Sequence, residues 1–150
     1  MESNMKTLLT LAIVISGMLM QAQMDDVTIA SSLMGKHIGE IEDVADSLGV
    51  TMTLHENNKL FVSANGVTKY YKIKSGTFIK KINEKNNHTT IETLSDRIVY
   101  IFIRYNHKEH LHLHDFNKAI IPENSPYNFE KSQGKNYSHI RIWNPESYWL

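Results

Sequence analysis

The sequence predicts an α+β domain: an N-terminal helix, an antiparallel meander sheet of about five or six strands, and a second helix near 106–121 packed on that sheet. Three observations predict it. Apolar residues recur at helical spacing from Ile29 to Leu48; the period changes to two from Val50 onward; and a capped helical pattern returns around His107–Asp115.

Ahead of the domain, MESNMKTLLTLAIVISGMLMQAQ carries Lys6, an uncharged run from Thr7 to Met20 and a polar exit at Gln21-Ala22-Gln23. This pattern predicts a secretory signal peptide over 1–23, followed by a single secreted α+β domain over 24–150. The run is about fourteen residues, short of the about 20 that a membrane span requires, so no transmembrane span is expected once the signal is removed.

Ile29, Leu33, Met34, Ile38, Ile41, Val44, Ala45 and Leu48 form the first helical stripe, opposite Glu40, Glu42, Asp43 and Asp46. Gly49 is a stop signal, and Gly35 inside the pattern predicts a break into two short helices. Val50, Met52 and Leu54 then alternate with polar residues, Asn57-Asn58 turns the chain, and Leu60, Val62 and Ala64 alternate again. Asn65-Gly66 signals a type I′ hairpin. VTKYYKIK follows from Val67 to Lys74, a further turn is expected at Ser75-Gly76, and Thr77 to Ile82 reads as a fourth strand. Lys69, Lys72, Lys74, Lys80 and Lys81 are assigned to a wet face.

Asn83 to His88 reads as a polar loop. Thr89 to Asp96 fits a short helix or a strand, and Thr89, Thr90, Ile91 and Thr93 favour strand. Ile98 to Tyr105 is apolar on both faces and predicts a central strand. A loop bracketed by Pro122 and Pro126 and closed by Gly134 precedes a last strand, Tyr137 to Trp143. Packing of Tyr137, Trp143, Tyr148 and Trp149 onto the sheet is expected to hold the C-terminus.

The stretch HKEHLHLHD, His107 to Asp115, holds half of the chain's 8 histidines. As a strand it would put His110, His112 and His114 on one face. As a helix it takes Asn106 as N-cap and Glu109 three residues on, buries Leu113, Phe116 and Ile120, and points His112 away from His107, His110 and His114. The helix accounts for more residues. In neither geometry do three of these histidines reach one ion: the rise from His107 to His114 on a helix is about 10.5 Å, and from His110 to His114 on a strand about 13 Å. A zinc-type site would combine His110 and His114 with Asp115 and, from the last strand, His139.

Composition bounds the function. Hydrophobic residues make up 41% and charged residues 21%, as in a globular protein, and 16 Lys and Arg balance 16 Asp and Glu. That balance argues against nucleic acid as a partner, because a polyanion binder needs a basic patch. Cysteine is absent, which excludes a disulfide frame, a thiol nucleophile and Cys-type zinc clusters. No G-x-S-x-G, P-loop or dinucleotide fingerprint occurs. The sequence therefore leads to a non-catalytic secreted or periplasmic binding or inhibitory module with no cofactor, engaging an envelope or extracellular protein or a small ligand. The alternative is a metal-binding protein, with zinc or a similar divalent metal, or a small hydrolase using the His107–His114 cluster.

Overall fold

A computed structural model describes residues 24–83 and 89–149, so the signal-peptide assignment to 1–23 and most of the Asn83–His88 loop lie outside the described residues. The fold is α+β, with helices packed on one face of an antiparallel sheet. Among the described residues, no helix is long and apolar enough to cross a membrane.

Helix α1, Asp26–Leu33, begins where the Asp25 carboxylate accepts the Thr28 N–H at 2.8 Å. It buries Val27, Ile29, Ala30 and Leu33. Gly35 breaks the helical run as expected, at φ +78°. A short 3₁₀ turn leads into α2, Ile41–Leu48, which buries Ile41, Val44 and Ala45 and turns Glu42, Asp43 and Asp46 outward.

Strands β1, Thr51–His55, and β2, Lys59–Ala64, are joined through Asn57 and Asn58, which both have positive φ. The hairpin at Asn65-Gly66 is present, with φ of 54° and 76°, as a type I′ turn requires. Beyond it the structure departs from the expected pair of short strands. β3 runs unbroken over Val67–Asn83, and Ser75-Gly76 is a site of register shift rather than a turn. β4, Thr89–Asn106, pairs with it from Tyr70 to Asn83, so residues 89–96 are strand and are continuous with the central strand. The register shifts and Asp96, at φ 56°, interrupt the regular pairing of this long hairpin.

Helix α3 spans His110–Lys118, shorter than 106–121. Asn106 spends its side chain on a turn, accepting the Lys108 N–H at 3.0 Å, while its carbonyl accepts the Glu109 N–H. The helix therefore starts four residues late, with no side-chain cap. β5, Asn128–Gln133, lies where a loop is expected; β6, Tyr137–Trp143, is the anticipated last long strand; β7, Tyr148–Trp149, adds to β3 at Gly76 and Thr77. The sheet order is β1-β2-β3-β4-β6-β5. Leu60, Val62, Tyr71, Ile73, Ile101, Ile103, Ile140 and Ile142 face the helices and form the core with α1, α2 and Phe116 of α3.

One assignment to the wet face fails. Lys69 shares parity with Tyr71 and Ile73 and is only 5% exposed. Its ammonium reaches Asp26 Oδ2 at 3.1 Å and Asp115 Oδ2 at 2.7 Å. Asp26, equally buried in the first turn of α1, also accepts hydrogen bonds from the Tyr71 hydroxyl and, at 2.7 Å, the Tyr105 hydroxyl. Four elements, α1, β3, β4 and α3, are thereby tied at one point. Burial first, and the Asp26 carboxylate second, hold both phenols far above the ordinary tyrosine value of 10.0.

Removing Asp26 leaves two buried hydroxyls without their acceptor and Lys69 with one partner, so Asp26→Ala should lower unfolding stability by about 3–5 kcal/mol in urea melts. In the unfolded chain Tyr71 and Tyr105 lose their protons near the ordinary value, whereas in the fold they retain them. Stability therefore falls as pH rises through about 10. The fall should be shallower in Tyr71→Phe and Tyr105→Phe, measured as urea midpoint against pH.

Candidate functional site

The histidine run divides between structure and solvent. His107, just past β4, meets the Lys135 carbonyl through Nδ1 at 2.9 Å and Ser138 Oγ through Nε2 at 2.7 Å. The carbonyl can only accept, so Nδ1 carries the proton and Nε2 is left to accept from the serine. This is the geometry of a base beside a nucleophile, but Ser138 is 1% exposed and cannot meet a substrate. The pair joins the end of β4 to β6 instead.

His112 points inward rather than away from the packed side. Its Nδ1 accepts the Asn106 N–H at 3.3 Å and its Nε2 donates to the Thr68 carbonyl at 2.9 Å. His110 and His114 are exposed, one helical turn apart on α3. At about 100° per residue, His112, Leu113 and Phe116 fall on one arc of the helix, with His110 and His114 on the other side.

The four residues assigned to a zinc-type site do not converge. Asp115 turns under the helix to Lys69 at 2.7 Å. His139 lies on the opposite face of the sheet, stacked on Phe102 with ring centroids 4.9 Å apart and 3.3 Å from Glu130 Oε1. Only His110 and His114 remain on a common surface. Among the described residues, no three His, Asp or Glu side chains are grouped to hold a metal ion.

A different concavity lies where the long β3–β4 hairpin leaves the sheet. The α1–α2 linker lies along β4 beyond the end of β6: Gly35 N–H donates to the Ile98 carbonyl and Ile98 N–H to the Lys36 carbonyl, both at 2.8 Å. The other wall is the turn after β6. Asn144 is buried there; its N–H donates to the Val99 carbonyl and its side-chain amide to the Ile79 carbonyl, both at 3.1 Å, and Ser147 Oγ accepts the Ile79 N–H at 3.1 Å.

The cleft so enclosed has a volume of about 560 Å³. Met34, Phe78, Leu94 and Tyr127 supply apolar lining, while Lys36, Glu40 and Arg97 supply charge. Arg97 and Glu40 stand 3.6 Å apart, and the buried Arg97 Nε has no hydrogen-bond partner among the described residues. Burial raises the Tyr127 phenol above its ordinary value. A shallower depression of about 660 Å³ shares Met34, Lys36, Glu40 and Tyr127 and continues the groove between α1 and α2. Neither the cleft nor its continuation is lined by a histidine.

No single stretch of the sequence marks this site, because its walls come from five separated segments. The one local signal is Gly35: a Cβ there would stand 3.1 Å from Phe78 Cζ, so the glycine marks a close approach as well as a break in the helix. Compared with known proteins, the chain matches no family model, no curated protein and no solved structure.

The four histidines should separate cleanly under alanine substitution. His107→Ala and His112→Ala each leave polar groups unpaired and should cost about 1–2 kcal/mol in chemical denaturation, while His110→Ala and His114→Ala should stay within about 0.5 kcal/mol.

Proposed function

We propose that this chain is a non-catalytic secreted or periplasmic binding or inhibitory module whose ligand engages the cleft at the base of the β3–β4 hairpin. The observation that carries the reading is the cleft itself. Its volume of about 560 Å³ falls within the range of small-ligand sites, and it pairs apolar side chains with a few converging charged groups. The unpartnered Arg97 Nε beside Lys36 favours an acceptor on the ligand, and Phe78, Leu94 and Tyr127 favour an apolar body. A small amphipathic anion, or a projecting loop of an envelope or extracellular protein, has both. The buried Ser138 beside His107 supports a reading without catalysis, and the pattern of residues 1–23 supports the secreted or periplasmic destination.

An environment-sensitive aryl sulfonate dye tests the cleft directly, since it combines an apolar ring with an anionic group. Titration of the purified protein should show saturable fluorescence enhancement, and Leu94→Trp, which fills the cleft, should abolish it without lowering the thermal midpoint. Binding undiminished in Leu94→Trp would sink the assignment. Turnover of chromogenic ester or phosphoester substrates would overturn the non-catalytic reading. A zinc-induced rise in thermal midpoint, lost in His110→Ala, would favour the metal-binding alternative.

A further inference from the structure

The face of the sheet turned away from the helices has a composition that chain-wide neutrality conceals. The pairing registers bring Lys59, Lys72, Lys74, Arg104 and Arg141 onto this face, opposite the buried parity of Leu60, Tyr71, Ile73, Ile103 and Ile142. Over β1, β2, β5 and β6, and over β3 and β4 from Tyr70↔Arg104 to Lys74↔Tyr100, the registers place a single carboxylate among them, Glu130 on β5, which is paired to Arg141 and His139. Among the described residues, Lys59, Lys72, Lys74 and Arg104 pair with no carboxylate.

Six rings lie between these cations: Phe61, Tyr70, Tyr100, Phe102, Tyr137 and Trp143. The Arg104 guanidinium covers Tyr137 at 3.7 Å, Lys74 stands 5.0 Å from the centre of Tyr100, and Arg141 stands 5.7 Å from Trp143. Shielding of rings from water accounts for long cationic side chains on an open sheet. It does not account for the near absence of acids, because a face designed only for solubility mixes both signs.

We infer that this open face is a docking surface for an extended acidic segment of a partner polypeptide. Charge complementarity requires an anionic partner. The strand geometry favours a polypeptide: Lys72 and Lys74 are two residues apart on β3, about 7 Å, which is the spacing of alternate side chains on an extended peptide laid along the strand. Base stacking is disfavoured because Tyr137 and Phe102 are already covered by Arg104 and His139. Membrane insertion is disfavoured because the exposed large apolar side chains of this face, Phe61 and Tyr137, sit on β2 and β6 with two strands between them.

Labelled oligoglutamate is the probe, with single-stranded DNA, a sulfated glycan and phosphatidylglycerol vesicles as competing arms. The purified protein should bind oligoglutamate most tightly, with an affinity that falls as salt is raised. Lys72→Glu combined with Arg104→Glu should weaken it by roughly tenfold or more, while Lys118→Glu on α3 leaves it unchanged. A milder pair, Lys59→Gln with Lys74→Gln, keeps the test valid if charge reversal prevents folding, and should weaken binding by a smaller factor. No binding to oligoglutamate, equal or tighter binding in another arm, or full retention of affinity in these variants overturns the inference. The aryl sulfonate titration of the cleft is independent of all these outcomes.

Discussion

The buried carboxylate of Asp26 is the constraint from which much of the architecture follows. A charge removed from water is tolerated only where partners replace its hydration, and Asp26 finds three, Lys69 and the hydroxyls of Tyr71 and Tyr105. Lys69 is held in turn by Asp115 from α3. The three direct partners lie 43 to 79 positions from Asp26 in the chain, so the cluster forms only when β3 and β4 are paired in register and α1 is laid across them. A slip of one residue in β3 would carry Lys69 and Tyr71 to the outer face and strand the carboxylate. Apolar burial drives collapse of this core, but the ionic cluster discriminates among the registers in which collapse is possible.

The position of α1 then determines the linker that follows it. Met34 and Gly35 leave the helix against β4, and the positive φ at Gly35 brings the chain into line with Ile98. Close approach of Phe78 to the same glycine is possible because β3 and β4 change register between Lys74 and Phe78. Lys74 still faces outward beside Tyr100, whereas Phe78 is buried. The irregularity that interrupts the pleat thus divides one long hairpin into two unlike surfaces, a cationic face before the shift and a cleft wall after it.

Much of this fold is legible in local pattern. The change of period at Val50, the Asn65-Gly66 turn, the break at Gly35 and the strand from Tyr137 all correspond to elements of the structure. The failures have physical causes. Ser75-Gly76 has turn composition, but here it serves a bulge within a continuous strand. NFEKSQ carries few β-formers and becomes β5 at the sheet edge, where pairing to β6 rather than propensity decides. Lys69 reads as a surface lysine by residue type, and strand parity would have placed it inside. Asp26 carries no local signal, since what makes it buried lies on β3, β4 and, through Lys69, α3. The histidine run is conspicuous in composition, yet His107 and His112 bond to Lys135, Ser138, Thr68 and Asn106, through backbone and serine groups rather than metal ligands.

Neutral net charge does not describe how charge is distributed. Equal numbers of acids and bases, 16 and 16, say nothing of where they stand. Helix α2 presents Glu42, Asp43 and Asp46 to solvent on one side of the sheet, while the opposite face presents Lys59, Lys72 and Arg104. An antiparallel sheet covered on one side converts alternating residues into two unlike surfaces, so opposite charges that cancel in composition need not cancel in space. At physiological salt, fields decay over about 8 Å, less than the thickness of a helix-on-sheet domain. A partner approaching the open face therefore meets a basic surface, whatever the total, and the acidic helix α2 does little to screen it.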